Sequence, residues 1–199
     1  VALAQRYPNR EVVFFAVGFE TTAPATAIAT IQARRLGLRN FSMLVSHVLV
    51  LPAMEMILAS PQNRVQGFLA AGHVCTVMGY EQYHDLAARF RVPIVVTGFE
   101  PVDLLAGLVM LASQLETGRW DVENQYARSV TQKGNTHAQA AIKEVYEICD
   151  RPWRGIGNLP MSGLRLRPSY HDMDADRRYP RVSTASVEPP ECRSGEVLM

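Results

Sequence analysis

The chain has 199 residues, 48% of them hydrophobic and 20% charged, and 20 basic against 19 acidic residues leave a formal charge of +1. That length can bury a substantial core as one large domain or two small ones. The balanced charge gives no support to nucleic-acid or anionic-membrane binding, and no apolar run approaches the roughly 18–20 residues of a bilayer span. Basic residues do gather late, at Arg165, Arg167, Arg177, Arg178 and Arg181, but aspartates sit among them.

In chain order, Val12–Val17 reads as a buried strand that ends abruptly at Gly18, followed by Phe19, Glu20, Thr21 and Thr22. Ala25–Leu36 reads as a helix closed by Gly37, a natural C-cap. Phe41–Ser46 is a second strand, Pro52–Ala59 a short helix with proline in its first turn, and Val65–Leu69 a third strand. A helix is predicted over Cys75–Phe90, a fourth strand over Ile94–Thr97 and a strongly apolar helix over Val102–Leu115. Strands alternating with helices in this way predict an α/β fold, with parallel doubly wound sheets and flanking helices. Val122–Val130 alternates like an edge strand, and Ala138–Ile148 reads as a helix capped from Asn135 or Thr136. From Pro152 onward glycine and proline punctuate the chain. The expected organisation is therefore an α/β core over residues 1–150 and a loop-rich extension over 151–199.

In α/β proteins ligands lie just past the carboxyl ends of parallel strands. Two strands here end in the same tripeptide, Gly18-Phe19-Glu20 and Gly98-Phe99-Glu100. A carboxylate between an apolar strand and a helix is partly buried, which can raise its pKa and suit it to proton transfer. Capping of backbone amides or pairing with an arginine are the plainer roles for Glu20. For Thr21 and Thr22 the plainer role is helix N-capping. Glu100 shares the geometry, with Pro101 in place of the threonines.

His47 closes the second strand, and His73 and Cys75 follow the third. A His-x-Cys pair is a weak metal signal, because closed sites usually need four ligands. The ends of three successive strands, at Glu20, His47 and His73, are expected to meet on one edge of one sheet. Three widely spaced cysteines make poor material for a disulfide framework and fit a reducing cytoplasm. Cys149 reads as a packed thiol, whereas Cys192, in a polar loop, is the better candidate for a metal or cluster ligand. Phosphate-loop, dinucleotide and nucleophile-elbow motifs are absent. The start at Val1 shows no signal-peptide pattern, and the two termini suggest a piece of a longer cytoplasmic protein.

Several long strings resemble the HypD family of hydrogenase maturation factors. They are G-F-E-T-T at 18–22, V-S-H-V-L-V at 45–50, G-F-L-A-A-G-H-V-C-T-V-M-G at 67–79 and V-T-G-F-E-P-V-D-L-L at 96–105. Further along come E-N-Q-Y-A-R-S-V at 123–130, W-R-G-I-G at 153–157, P-M-S-G-L-R-L-R-P at 160–168 and E-C-R-S-G-E-V-L at 191–198. The resemblance implies a cytoplasmic scaffold on which the iron of a nickel–iron hydrogenase receives cyanide and carbon monoxide. It also implies a HypC-type chaperone and a HypE-type cyanide donor as partners, and a 4Fe-4S cluster in the intact protein. Glu20, Thr21 and Thr22 match one family motif lining the assembly cleft, and Gly72, His73 and Gly79 match another, with Cys75 in place of a frequent serine. Cys192 matches the first cysteine of the cluster region.

The family's N-terminal Cys-Gly-Thr-His and Cys-Pro-x-Cys segments do not occur here, and one cysteine cannot hold a 4Fe-4S cluster. The expectation is a fragment that binds no cluster itself and belongs to a redox-linked assembly scaffold more than to a turnover enzyme. The alternative is an α/β enzyme using Glu20 and His73 as an acid–base pair on a small metabolite. A third reading is a docking fold with an apolar surface near Leu49, Leu51 and Met54.

Overall fold

The computed structural model describes residues 1–154 and 156–179. Helix α1 (Ala2–Arg6) leads into β1 (Val12–Gly18), α2 (Ala23–Arg35), β2 (Phe41–His47), α3 (Val50–Ala59) and β3 (Phe68–Ala71). Then come α4 (Gly72–Met78), α5 (Tyr83–Phe90), β4 (Ile94–Thr97), α6 (Pro101–Thr117), β5 (Val122–Asn124) and α7 (Thr136–Val145). Strands β6 (Tyr146–Trp153) and β7 (Gly157–Leu166), a 3₁₀ turn (Pro168–Met173) and α8 (Ala175–Arg178) complete the described chain. Parallel sheets with flanking helices are what the alternating pattern predicts. The chain divides into two compact units, Val1–Pro52 with Ala140–Leu198, and Ala53–Gln139. No described helix is long and apolar enough to cross a membrane.

In the first unit β1 and β2 run parallel, from Val12 opposite Phe41 to Gly18 opposite His47. Helix α2 follows with Pro24 in its first turn, and Gly37 (φ +65°) lies just beyond its end. It covers the sheet face that carries Ala16, Met43 and His47, with Thr30 reaching Met43 and Thr26 reaching His47. Residues 157–166, expected as loop, form β7, which pairs antiparallel with β6 from Tyr146–Leu166 to Trp153–Gly157. Glycine and proline in this stretch mask an inward run at Ser162–Leu164 and Leu166 that the hairpin buries. Gly163 is required there because the Arg151 side chain lies across it, its guanidinium donating to Val45 O and Leu164 O at 2.7 Å each. Tyr146 begins the hairpin, so α7 stops at Val145, short of the predicted Ile148.

In the second unit β3, β4 and β5 form a three-stranded parallel sheet in that order. Strand β3 starts later than the alternation predicts: Asn63 Oδ1 takes the Val65 N–H in a local turn, and pairing begins where Phe68 N–H bonds Pro93 O. The single helix predicted over 75–90 is two helices. Gly79, at φ +74°, turns the chain out of α4 while its N–H still closes on Cys75 O. Strand β5 ends at Asn124, because the next residues turn back so that Gln125 and Tyr126 N–H bond Val96 O.

Candidate functional site

The corner between β1 and α2 is built by Gly18, whose φ of +146° turns the chain sharply at the strand end. A Cβ at Gly18 would collide with Thr22 Oγ1. The turn carries Glu20 inward until it is 4% exposed. Glu20 Oε1 accepts the Val50 N–H at 2.9 Å, at the first residue of α3. The other oxygen, Oε2, is buried without a hydrogen-bond partner among the described residues. Burial pushes this carboxyl above its ordinary pKa, against the pull of the backbone N–H groups of Glu20 and Val50. Buried polar atoms are nearly always paired, and this oxygen shares its lack of a described partner with Ser42 Oγ, Gln114 Nε2, Asn124 Oδ1 and Arg151 Nε.

Thr22 occupies the N-cap position of α2, yet its side chain makes no capping bond. Its hydroxyl donates to Phe19 O at 3.2 Å and lies 3.5 Å from His47 Nδ1. Thr21 is exposed beside it. His47 is fully buried at the end of β2. Its Nε2 is 3.1 Å from Thr26 Oγ1, which donates to Ala23 O and accepts from Tyr146 O–H at 2.8 Å. Both threonine hydroxyls give their protons to carbonyls, so a neutral ring donates to one of the two and not to both. Burial pushes His47 below its ordinary pKa, assisted by the Arg151 charge and opposed by the Gly18 backbone. Burial also lifts Tyr146 to about 12. His47 is therefore a buried ring tied to Thr26 and through it to Tyr146, with Thr22 Oγ1 3.5 Å from its Nδ1.

The second corner, after β4, has the same tripeptide and a different outcome. Glu100 and Phe99 are exposed. Arg128 reaches Glu100 Oε2 at 3.3 Å and clasps Asp103 through two bonds of 2.7 and 2.5 Å. Asp103 is 4% exposed, and Gln125 also donates to it at 2.9 Å. The Arg128 guanidinium holds the Asp103 carboxyl well below the usual carboxylate range, with help from Glu100 and Gln125. Arg128 also covers the Tyr126 ring, 4.5 Å from its centroid. His73 opens α4, exposed, with its ring 4.8 Å from Phe99 and 6.1 Å from Tyr126 by centroid. Gly72 is needed beside it, since a Cβ would come within 2.5 Å of Thr97 O and 2.6 Å of the Tyr126 ring.

Sequence reasoning placed Glu20, His47 and His73 along one sheet edge. The structure corrects this: Glu20 and His47 close the β1–β2 sheet, while His73 and Glu100 close the β3–β4–β5 sheet. Apolar runs mark where strands are and say little about which sheet each one joins. Asp103, Gln125 and Arg128 were missed as site residues, because E-N-Q-Y-A-R alternates like a strand and folds as a turn. Met54 is buried, and Leu49 and Leu51 are half-buried. Exposed apolar side chains stand instead on β1 and along α6. Cys75 is buried, Cys149 is a half-buried thiol that burial pushes up, and Cys192 lies outside the described residues. No cluster of three or more His, Cys, Asp or Glu suited to a metal occurs among the described residues.

These features define an α/β protein whose polar chemistry gathers past the carboxyl ends of parallel strands, in two separately built corners. All 199 residues match the HypD family, the "Hydrogenase formation hypA family". The chain is 45% identical over 203 residues to "Hydrogenase maturation factor HypD" of Rhizobium leguminosarum bv. viciae, covering 98% of this chain and 53% of that protein. Identity to the protein of the same name is 45% over 202 residues in Azotobacter vinelandii and 43% over 197 in Escherichia coli K12, again covering 98% of this chain and 53% of each relative. The chain belongs to the HypD family. It spans about half the length of the curated relatives it matches.

Proposed function

We propose that this chain is part of a hydrogenase maturation scaffold, on which an iron centre receives its cyanide and carbon monoxide ligands with HypC- and HypE-type partners in the cytoplasm. Family membership over all 199 residues supports the pathway. One structural observation carries the site: Glu20, buried at the carboxyl end of β1, keeps Oε2 without a described partner. Iron is the cargo here. Burial favours the protonated form of this carboxyl, and a proton at Oε2 would be placed to donate a hydrogen bond to an acceptor such as a cyanide nitrogen. Thr21 and Thr22 add hydroxyls in the same turn, and Thr22 Oγ1 lies 3.5 Å from His47 Nδ1. On the second corner His73 and Glu100, steadied by Tyr126 and Arg128, form a further polar rim.

A resident 4Fe-4S cluster does not fit the described residues. It needs four thiolates. Cys75 is sealed in α4, and Cys149 lies on β6 in the other unit. Any cluster thus draws its ligands from Cys192 and from the part of the protein outside this chain. The acid–base enzyme reading has no support from the family and relatives, which point to hydrogenase maturation.

The test is a full-length protein carrying Glu20→Ala, which removes the proposed donor, beside one carrying His73→Ala. Each should bind its HypC-type partner normally and lose most of its iron-dependent maturation of hydrogenase. Normal maturation by both variants together would end the assignment.

A further inference from the structure

We infer that the free edge of β1 is the seat of another β-strand, running parallel to it and followed by a covering helix, supplied by the portion of the full-length polypeptide outside these 199 residues. The inference is independent of the proposed chemistry. Strand β1 reads V-V-F-F-A-V-G and pairs only with β2 among the described residues. An unbroken apolar run of this kind belongs in the interior of a parallel sheet, covered on both faces. Here only Ala16 is buried, and Val13, Phe14, Phe15 and Val17 are 48–58% exposed. Natural edge strands are blunted by charge, proline or a bulge. No charged residue or proline lies between Val12 and Phe19, and the β1–β2 register runs without a shift.

The backbone states which groups wait for a partner. Val12 N–H bonds Asn40 O, and Gly18 O accepts from Val48 N–H, so the even-numbered residues face β2. Strand backbones alternate, and Val13, Phe15 and Val17 therefore direct their N–H and C=O groups to the open edge. The same three side chains share the sheet face opposite α2, where a crossover helix would lie. Relatives are long enough to supply both pieces, since the chain covers only 53% of each. A parallel neighbour ends at the same rim as its partner. The loop after the added strand would thus arrive beside Gly18 and Glu20, completing that corner.

Residue-resolved hydrogen–deuterium exchange on the full-length protein tests this, with the 199-residue chain as control. In the full-length protein the amides of Val13, Phe15 and Val17 should exchange on the order of a hundred-fold or more slower than open backbone, matching Phe14 and Ala16. Free exchange of the three in the full-length protein overturns the inference. Protection already present in the 199-residue chain overturns it too, because the edge is then covered from within. Protection that disappears on dilution together with a dimer in sedimentation assigns the edge to a second copy and equally refutes it.

Discussion

Replacing Glu20 by Gln keeps the side-chain length and the oxygen that accepts from Val50 N–H (2.9 Å), and removes only the ionisation. In the unfolded chain Glu20 releases its proton near its ordinary pKa of 4.5, whereas the folded chain holds the proton to higher pH. Across that interval the native state binds more protons than the unfolded state, so stability falls as pH rises. Below 4.5 both states are protonated and the penalty is absent; above the folded pKa it is fully present. Gln does not titrate. Any constant offset from its buried amide leaves the slope untouched. The stability of Glu20→Gln relative to wild type should therefore climb from about pH 4.5 and then level off.

The structure sets the size of the rise. An ionised Glu20 retains a charge-assisted bond at Oε1 and lacks one at Oε2. A hydrogen bond to a charged group contributes about 1.5–3 kcal/mol, and the gap should approach that once the pH has passed the folded-state pKa. Urea titrations at a series of pH values would read it through Trp153. That side chain belongs to the same unit, donates to Ser162 Oγ at 2.9 Å and lies 6.3 Å from the Phe19 ring. Trp120→Phe in both proteins isolates the signal. A flat or falling difference across pH 4.5–8 would mean the charged carboxyl is well satisfied, and the case for an unmatched oxygen at Glu20 would collapse.

Two further outcomes follow from the same packing. His47 should make the protein acid-sensitive in the opposite sense: its folded pKa lies below 6.5, so its contribution is present above pH 6.5 and is lost as pH falls through the lowered value. Acid titration of His47→Asn, followed by circular dichroism, should show a shallower loss below pH 6.5 than wild type. Gly72→Ala should lower stability by about 1–3 kcal/mol by overpacking, since the new methyl meets Thr97 O, a backbone atom that cannot swing aside. Thermal melting measures it, and an unchanged midpoint would show that β4 yields there.

Much of the fold is legible because its elements rest on local signals. The apolar runs at β1, β2 and β4 are strands, and α2 and α6 stop at Gly37 and Gly118, both at positive φ. Elements that depend on distant partners were not legible. The β6–β7 hairpin looks like loop until Arg151 is seen crossing Gly163, and Tyr126 looks like a strand residue until it is seen beneath Arg128. The site was legible residue by residue and not as an assembly. Thr22 and His47 do meet, at 3.5 Å, but what fixes the His47 ring is Thr26 and Tyr146, polar groups inside apolar patterns that periodicity does not flag.

The two Gly-Phe-Glu corners show how little a tripeptide decides by itself. Gly18 takes a positive φ, and Glu20 folds under the chain against α3, where one oxygen is satisfied and the other is not. After Gly98, Pro101 starts α6 at once, and Glu100 stays outside with 59% of its side chain exposed and Arg128 at 3.3 Å. The buried carboxylate at that corner is Asp103, one helical turn later, and its charge is fully answered by Arg128 and Gln125. A carboxylate so matched is held ionised and has no proton to lend, so Asp103 anchors the corner. Glu20 has the reverse arrangement, buried yet unmatched, and the free energy of that mismatch is available to whatever group comes to lie against Oε2.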